Sequence, residues 1–445
     1  MNCVQEGQGY FGPAPNGLVG TVRVPGDKSI SHRSVLLGAV NSGPVTVDGF
    51  LRSADTLATI RAIRALGVDI EELDSCDGSK LIVYGRGWDG LEEPVDVIDV
   101  ANAGTLIRLL PGILASCPFF AVLNGDASIR RRPMARILQP LAQMGATVSG
   151  RQGGRLPPFT IQGGRLRAGR HQIEVASAQV KSCLILAALR ADGQTLIDEP
   201  GPSRDHTETM VCYGGAQVRR EGDPLGPGTT IVTPLSRDLD MGPVTVPGDI
   251  SSAAFLLVAA LIVPGSRVTV EGVGLNPTRT GLLDVLQEMG ADLTVMAVSG
   301  EVEPMGAVTA AYTPLHGCDI AAEKVPLLID ELPIWALAAA CAEGTSRVRG
   351  AAELRLKESD RLAATAQLLR TLGIEVHEHQ DGLDIIGNPQ RWKGTSVASH
   401  GDHRLAMVGA VAGLASRTGV TVDDIECIGI SYPDFAATIE QLIHR

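Results

Sequence analysis

One pattern, repeated along the chain, restricts its fold more than anything else in the sequence. A capped helix is followed by Leu-Gly, Met-Gly or Gly-Gly and then by a β-branched strand. It occurs at Ala58–Ile70, Arg136–Val148, Thr207–Val218, Thr280–Val295 and Arg361–Val376. Gly67, Gly145, Gly215, Gly290 and Gly373 each stand where a helix C′ residue needs positive φ. They lie 70 to 83 residues apart. Unrelated elements would not recur so evenly, so the chain reads as an internal repeat. A sixth helix, Pro433–His444, has no strand after it, and a strand, Leu18–Val24, precedes the first helix. The expectation is that this first strand completes the last unit, bringing both chain ends into one domain.

A second repetition marks where the chain crosses between domains. Val22–His32 reads VRVPGDKSISH and Val244–Ala254 reads VTVPGDISSAA. The 445 residues exceed one ordinary domain. The predicted division is 1–25 plus 246–445 for one domain and 26–245 for the other. The fold class expected is α/β (α+β), with two domains of three repeated βαβ-containing units. Helices such as Ser252–Val263 and Pro333–Cys341 are apolar on more than one face. Such helices belong inside, with the sheets outside. No G-x-G-x-x-G follows a strand, which argues against a dinucleotide fold.

Composition excludes several function classes. The net charge is −12, aromatic residues make up 3%, and no basic stripe is present, so a nucleic-acid partner is not expected. The longest strongly apolar run, Ala253–Pro264, is too short for a bilayer, and no secretory signal opens the chain. Residues 1–16 read as a loose polar tail. The eight cysteines form no CxxC and no Cys/His metal spacing, so no metal is expected and a reduced, cytoplasmic protein fits.

In an acidic chain, anion sites require locally concentrated cations. Eight polar clusters sit at helix starts, where free backbone N–H groups attract anions. The first is Val24–Arg33, VPGDKSISHR, a strand, a Pro-Gly break and then Lys28, two serines and Arg33. It is no Walker A loop, since GxxxxGK[ST] is absent. The second is Asn102–Arg108, NAGTLIR, where Gly104 permits close backbone approach and Arg108 falls on a first turn that disfavours a cation without an anion. The third, NGDASIRRRPM at 124–134, has Arg132 as its candidate ligand, held at a helix start with Pro133 at N1. Next come SAQVKS (177–182) and SRDH (203–206), both also readable as plain caps. The last three are IDELP (329–333), RLKESDR (355–361) and GDHRLAM (401–407). In the seventh, Glu358 and Arg361 share the i,i+3 spacing of a helix face, which also fits surface ion pairs. Together these helix starts can converge on one interdomain cleft and bind small molecules with several anionic groups, isolated by domain closure.

The clusters, in order, resemble the bacterial 5-enolpyruvylshikimate-3-phosphate synthase (3-phosphoshikimate 1-carboxyvinyltransferase) family, from about Gly20 to Phe435. The match is to the subgroup with SAQVKS and SRDHTE motifs. The resemblance implies the two-domain enolpyruvyl transferase fold and transfer of the enolpyruvyl group of phosphoenolpyruvate to the 5-hydroxyl of shikimate 3-phosphate. That reaction serves chorismate and aromatic amino-acid biosynthesis. It also implies no cofactor or metal, and usually a monomer. Lys28 would touch both substrates. Shikimate 3-phosphate would meet Ser29, Arg33, Ser177, Gln179, Ser203 or its neighbour Arg204, Asp330 and Lys357. Phosphoenolpyruvate would meet Gly104, Arg132, Gln179, Arg361 and Arg404, with Asp330 and Glu358 at the reacting centre.

Two departures stand out. Ala101 occupies the position before Asn102 where the family usually has Gly, and Gly429-Ile430-Ser431 replaces a common Lys near the end. Gly104 keeps the small residue associated with sensitivity to glyphosate, so inhibition is expected. The sister UDP-N-acetylglucosamine enolpyruvyl transferases carry a Cys in the loop of the third cluster, and this chain has none there. A retained fold that only binds phosphorylated metabolites would have lost an acid or base, whereas Lys28, Asp330 and Glu358 are present.

Overall fold

A computed structural model describes residues 7–75, 78–298, 300–390 and 392–443. The chain divides into two compact units. A terminal unit comprises Met1–Pro25, Pro247–Ser299 and Pro304–Arg445, and an inserted unit comprises Gly26–Val246 and Gly300–Glu303. Val246 and the short segment 300–303 pack with the inserted unit rather than with the rest of 246–445, and Val302 joins its hydrophobic core.

All repeats but the last share one plan. A short strand leads into a buried helix, a parallel partner strand follows, then a half-exposed helix and an antiparallel hairpin. In the inserted unit the second repeat runs through strand Ile98–Asp99, helix Gly104–Leu114 and strand Phe120–Asn124. It ends with helix Ala135–Met144 and strands Thr147–Gly150 and Leu156–Gln162. The four strands form one sheet, parallel at the first pair and antiparallel thereafter. The other repeats build four-stranded sheets in the same order, and the last repeat builds a three-stranded one. All five repeat glycines adopt positive φ, from 84° to 115°. A non-glycine residue would cost about 1–2 kcal/mol at such a position.

Helices lie inside and sheets outside. Every residue of Ile250–Ile262 is buried, as is nearly every residue of Leu332–Cys341 and His403–Ala415. Strands such as Leu156–Gln162 alternate buried and exposed side chains, one face to the core and one to water. Each fully buried Leu, Ile or Val contributes about 1.5–3 kcal/mol. Those contributions offset the conformational entropy of ordering the chain.

The first strand does not complete the last unit. Val19–Arg23 pairs in parallel with Arg267–Glu271, in the first repeat of the terminal unit. That place is open because Val244–Thr245, the strand leading into helix Ile250–Ile262, pairs instead with Val47–Asp48 of the inserted unit. The two Pro-Gly-Asp segments thus follow strands that have exchanged places. The last sheet is completed by Gly9–Phe11, antiparallel to Val420–Val422. This strand lies within the stretch whose composition reads as a loose tail. Phe11 is buried against Phe435, which explains why so short a strand is ordered.

Candidate active site

In the inserted unit, helix Lys28–Ala39 opens directly after Pro25-Gly26-Asp27, and its cap is Asp27, which accepts from the Ile30 amide at 2.9 Å. Neither serine of the motif serves as the cap. Lys28 Nζ lies 3.1 Å from Asp55 Oδ2, an ion pair that no local spacing announces. Arg33 is buried and clamps the unit from within. Its Nε donates to Thr207 Oγ1 at 2.7 Å, Nη2 to Ser182 Oγ at 2.9 Å, and Nη1 to the Ser29 carbonyl at 3.0 Å. Burial pushes its guanidinium down to about 10, against the pull of Glu208 and Asp27. His32, on the same helix, is enclosed against Thr59 Oγ1 at 2.6 Å, and burial holds it down to about 3.

Gly104 opens its helix without a side-chain cap bond. A Cβ there would stand 2.7 Å from Arg132 Nη1 and 3.1 Å from Arg108 Nη1, so two guanidinium groups end at this residue. Arg132 Nη2 donates to Asn102 Oδ1 at 3.0 Å and Ser128 Oγ at 3.2 Å, and Asn102 donates to Asp126 at 2.9 Å. Arg132 therefore reaches the start of helix Gly104–Leu114. The helix following its own loop begins only at Ala135, with Met134 at the N-cap, so Pro133 is not at N1. Gln179 accepts from Arg108 at 3.1 Å and donates to Thr105 Oγ1 at 3.2 Å, which ties it to the same corner.

Ser177 holds the N-cap position of helix Ala178–Ala188 but makes no cap hydrogen bond. Ser203 differs. Its hydroxyl donates to the buried Glu199 at 2.6 Å, beside Lys181, whose Nζ is 3.3 Å from Glu199 and 2.7 Å from Glu208. Of the pair Ser203 and Arg204, the serine is thus committed to the interior. Arg204 is near enough to Arg33 to depress it.

In the terminal unit, three cationic side chains gather on Asp330. Its Oδ1 lies 3.3 Å from Lys357 Nζ and 3.1 Å from Arg361 Nη1, and its carbonyl accepts from Arg404 Nη1 at 3.0 Å. Arg361 Nη2 is 2.7 Å from Glu358 Oε2. Lys357 and Glu358 precede the helix, which runs Arg361–Thr371 and is capped by Asp360, so no shared helix face brings them together. Arg361 is 2% exposed. Burial alone would lower it, but Glu358, Asp402 and Asp330 outweigh burial and hold it above the usual arginine range. The residue missed by sequence reasoning is Asp402. Its two oxygens accept from Arg361 Nε at 2.7 Å and Nη2 at 3.2 Å, a bidentate charge-assisted pair. It also accepts from Ser359 Oγ at 3.0 Å and caps helix His403–Ala415 through the Arg404 amide. Burial works against its charge, yet Arg361 keeps its carboxyl below the usual range.

Among the described residues no cluster of His, Cys, Asp and Glu is placed to hold a metal, and no helix is long and apolar enough to cross a membrane. A cavity of about 700 Å³ on the third sheet of the inserted unit is lined by Asp198, Glu199, Glu221 and neighbours, and none of the residues implied by the resemblance lines it.

The paired three-repeat units, with helix starts carrying Lys28, Gly104, Arg361 and Arg404, match solved enolpyruvyl transferases in architecture. The enolpyruvyl transferase NikO of Streptomyces tendae shares the fold at a TM-score of 0.75 with 21% identity, covering 98% of this chain and 97% of its own. EPSP synthase of Acinetobacter baumannii superposes at a TM-score of 0.87 with 40% identity over 98% of each chain. A 3-phosphoshikimate 1-carboxyvinyltransferase of Geobacter metallireducens is 48% identical over 98% of this chain and its own full length. Residues 13–439 match the family described as EPSP synthase (3-phosphoshikimate 1-carboxyvinyltransferase), and the chain belongs to that family.

Proposed function

We propose that this chain transfers the enolpyruvyl group of phosphoenolpyruvate to the 5-hydroxyl of shikimate 3-phosphate. The products are 5-enolpyruvylshikimate 3-phosphate and phosphate. Family membership supports the reaction. The observation that carries it is the knot on Asp330, which joins Lys357, Arg361, Arg404 and, through Arg361, Glu358. Five residues implied by the resemblance, from three motifs distant in sequence, meet within hydrogen-bond reach.

The chemistry needs these types. The acceptor hydroxyl is a poor nucleophile, and Asp330 orients it and accepts its proton. The oxygen adds to C2 of the enol as Glu358 gives a proton to the methylene carbon, and a tetrahedral ketal phosphate forms. When the C2–O bond to phosphate breaks, Lys28 steadies the leaving charge and the acceptor's proton passes to phosphate. Glu358 reclaims the methyl proton and restores the double bond. Arg132, Arg361 and Arg404 offer rigid forks matched to carboxylate and phosphate. Gly104 leaves the guanidinium groups room, and Gln179 acts on both substrates. Ser29, Arg33, Ser177, Arg204 and Lys357 hold shikimate 3-phosphate. The reading extends to a monomeric, cytoplasmic enzyme whose two units serve as its two domains, without cofactor, nucleic-acid or membrane partner.

The test is phosphate release from phosphoenolpyruvate with shikimate 3-phosphate or UDP-N-acetylglucosamine as acceptor. Release with the first only, reduced at least a hundredfold in Glu358→Gln, is the expected result for loss of a general acid–base group. Release with the second acceptor would assign the chain to the sister reaction. Binding of shikimate 3-phosphate without release from either acceptor would mark a fold kept for binding.

A further inference from the structure

Beside the knot on Asp330 lies a second carboxylate that the reaction scheme does not use. Glu331 stands at the N-cap position of helix Leu332–Cys341 but makes no cap hydrogen bond, so the ordinary reason for an acid there is absent. It is 1% exposed. A carboxylate buried this far needs a counter-charge or hydrogen bonds to be tolerated. It has both. Oε1 accepts from Ser251 Oγ and lies 3.8 Å from Arg404 Nη1. Ser251 Oγ in turn accepts from Arg279 Nη2 at 2.8 Å, and Arg279 reaches Asp249 Oδ1 at 3.2 Å. Asp249 is the cap of helix Ile250–Ile262, accepting from the Ser251 amide at 2.8 Å.

The order of this series is informative. It runs from the second Pro-Gly-Asp segment, through the three buried side chains of Arg279, Ser251 and Glu331, to an arginine that is nearly buried itself. The Arg404 side chain is 11% exposed, its Nη1 also donates to the Asp330 carbonyl, and its Nε has no hydrogen-bond partner among the described residues. With one hydrogen bond to a carbonyl, a long arginine would retain rotamer freedom. The buried negative charge of Glu331 restricts it.

We propose that Glu331 is a positioning residue for Arg404. It sets the guanidinium beside Asp330 through a buried ion pair, held from behind by Ser251, Arg279 and Asp249. This rests on the reading of Arg404 as a ligand of phosphoenolpyruvate. The consequence is selective. Loosening Glu331 weakens the donor substrate's site and leaves the acceptor's site, built on other residues, unchanged.

The test is steady-state kinetics of the full chain with thermal unfolding measured alongside. Glu331→Gln is expected to raise KM for phosphoenolpyruvate at least tenfold. KM for shikimate 3-phosphate should stay within twofold and kcat should fall less than the donor KM rises. Glu331→Asp, which keeps the charge, should recover part of the loss. In an Arg404→Lys background the same substitution should add little, as coupled sites do. A folded Glu331→Gln protein with donor KM within twofold of the parent overturns the proposal, whatever its melting temperature. If that variant does not fold, Ser251→Ala decides. A rise of at least threefold in donor KM supports the proposal, and an unchanged KM overturns it. Arg404→Lys with an unchanged donor KM would instead remove the underlying assignment of Arg404.

Discussion

Gly104 has room for a hydrogen and little else, because Arg132 Nη1 and Arg108 Nη1 occupy the space a methyl would take. Both are ends of flexible side chains, so Gly104→Ala should fold normally while displacing the two charges. The expected outcome is a donor KM raised about tenfold, equivalent to about 1.4 kcal/mol, with a parallel rise in the glyphosate concentration needed for half inhibition. Kinetics with both ligands check it. Ala101 presents the opposite case. Its φ of 51° is one that glycine adopts freely and alanine resists. Ala101→Gly should therefore raise the urea midpoint, adding about 0.5–1 kcal/mol after glycine's extra unfolded entropy is subtracted. Asp330, Glu358 and Arg361 stand out in the sequence because their motifs are specific when taken together, and their side chains lie in contact in the fold. Asp402 does not stand out, although it lies in the equally specific DHRLAM. An acid ahead of a helix reads as a cap, and it is one. Its second task, pairing with Arg361 41 positions away, leaves no trace in local spacing.

At the scale of elements, the two Pro-Gly-Asp segments show what one local design does in two settings. Asp27 and Asp249 both cap the helix that follows, by side-chain acceptance from its first turn. The next residue is Lys28 in one copy and Ile250 in the other. The first helix therefore carries charge at its start, and the second is buried throughout. The first helix also carries an acid sensitivity. His32 titrates near 3 in the folded chain, below its ordinary 6.5, because burial disfavours its charged form. Between those values the unfolded chain binds the extra proton, so stability falls as pH drops below about 6.5. Replacing His32 by Gln should flatten that dependence by up to about 1.4 kcal/mol per pH unit. Urea titrations at pH 7, 6 and 5 would show it, and equal slopes in both proteins would refute it. Helix ends were legible from the repeat glycines, since positive φ is a local demand. Strand partners were not. Gly9–Phe11 is three residues long, and the alternation that identifies a strand needs more than that.

At the scale of the whole chain, five repeats of one plan and a shortened sixth are shared between two units, and long-range pairings tie the ends together. The pairing of Phe11 with Val420 makes a small N-terminal strand part of the terminal unit's core. Phe11→Ala should destabilise that unit by about 3–5 kcal/mol. Hydrogen exchange should place the lost protection in strand Val420–Val422 and helix His403–Ala415. An unchanged pattern there would show that the N-terminal strand is dispensable.

The exchanged strands also have a consequence for the chain as it is made. Residues 26–245 contain everything the first three sheets require, so those sheets can close as soon as Thr245 has left the ribosome, and Val302 joins the unit's core later. Val19–Arg23 is synthesised before any of this, yet its partner begins only at Arg267, and Gly9–Phe11 must wait for Val420. At about 5–20 residues per second, that second wait lasts roughly 20–80 s. During it Gly9–Phe11 of the nascent chain has no partner in its own sheet. In translation, the middle of this protein is finished first and its beginning last.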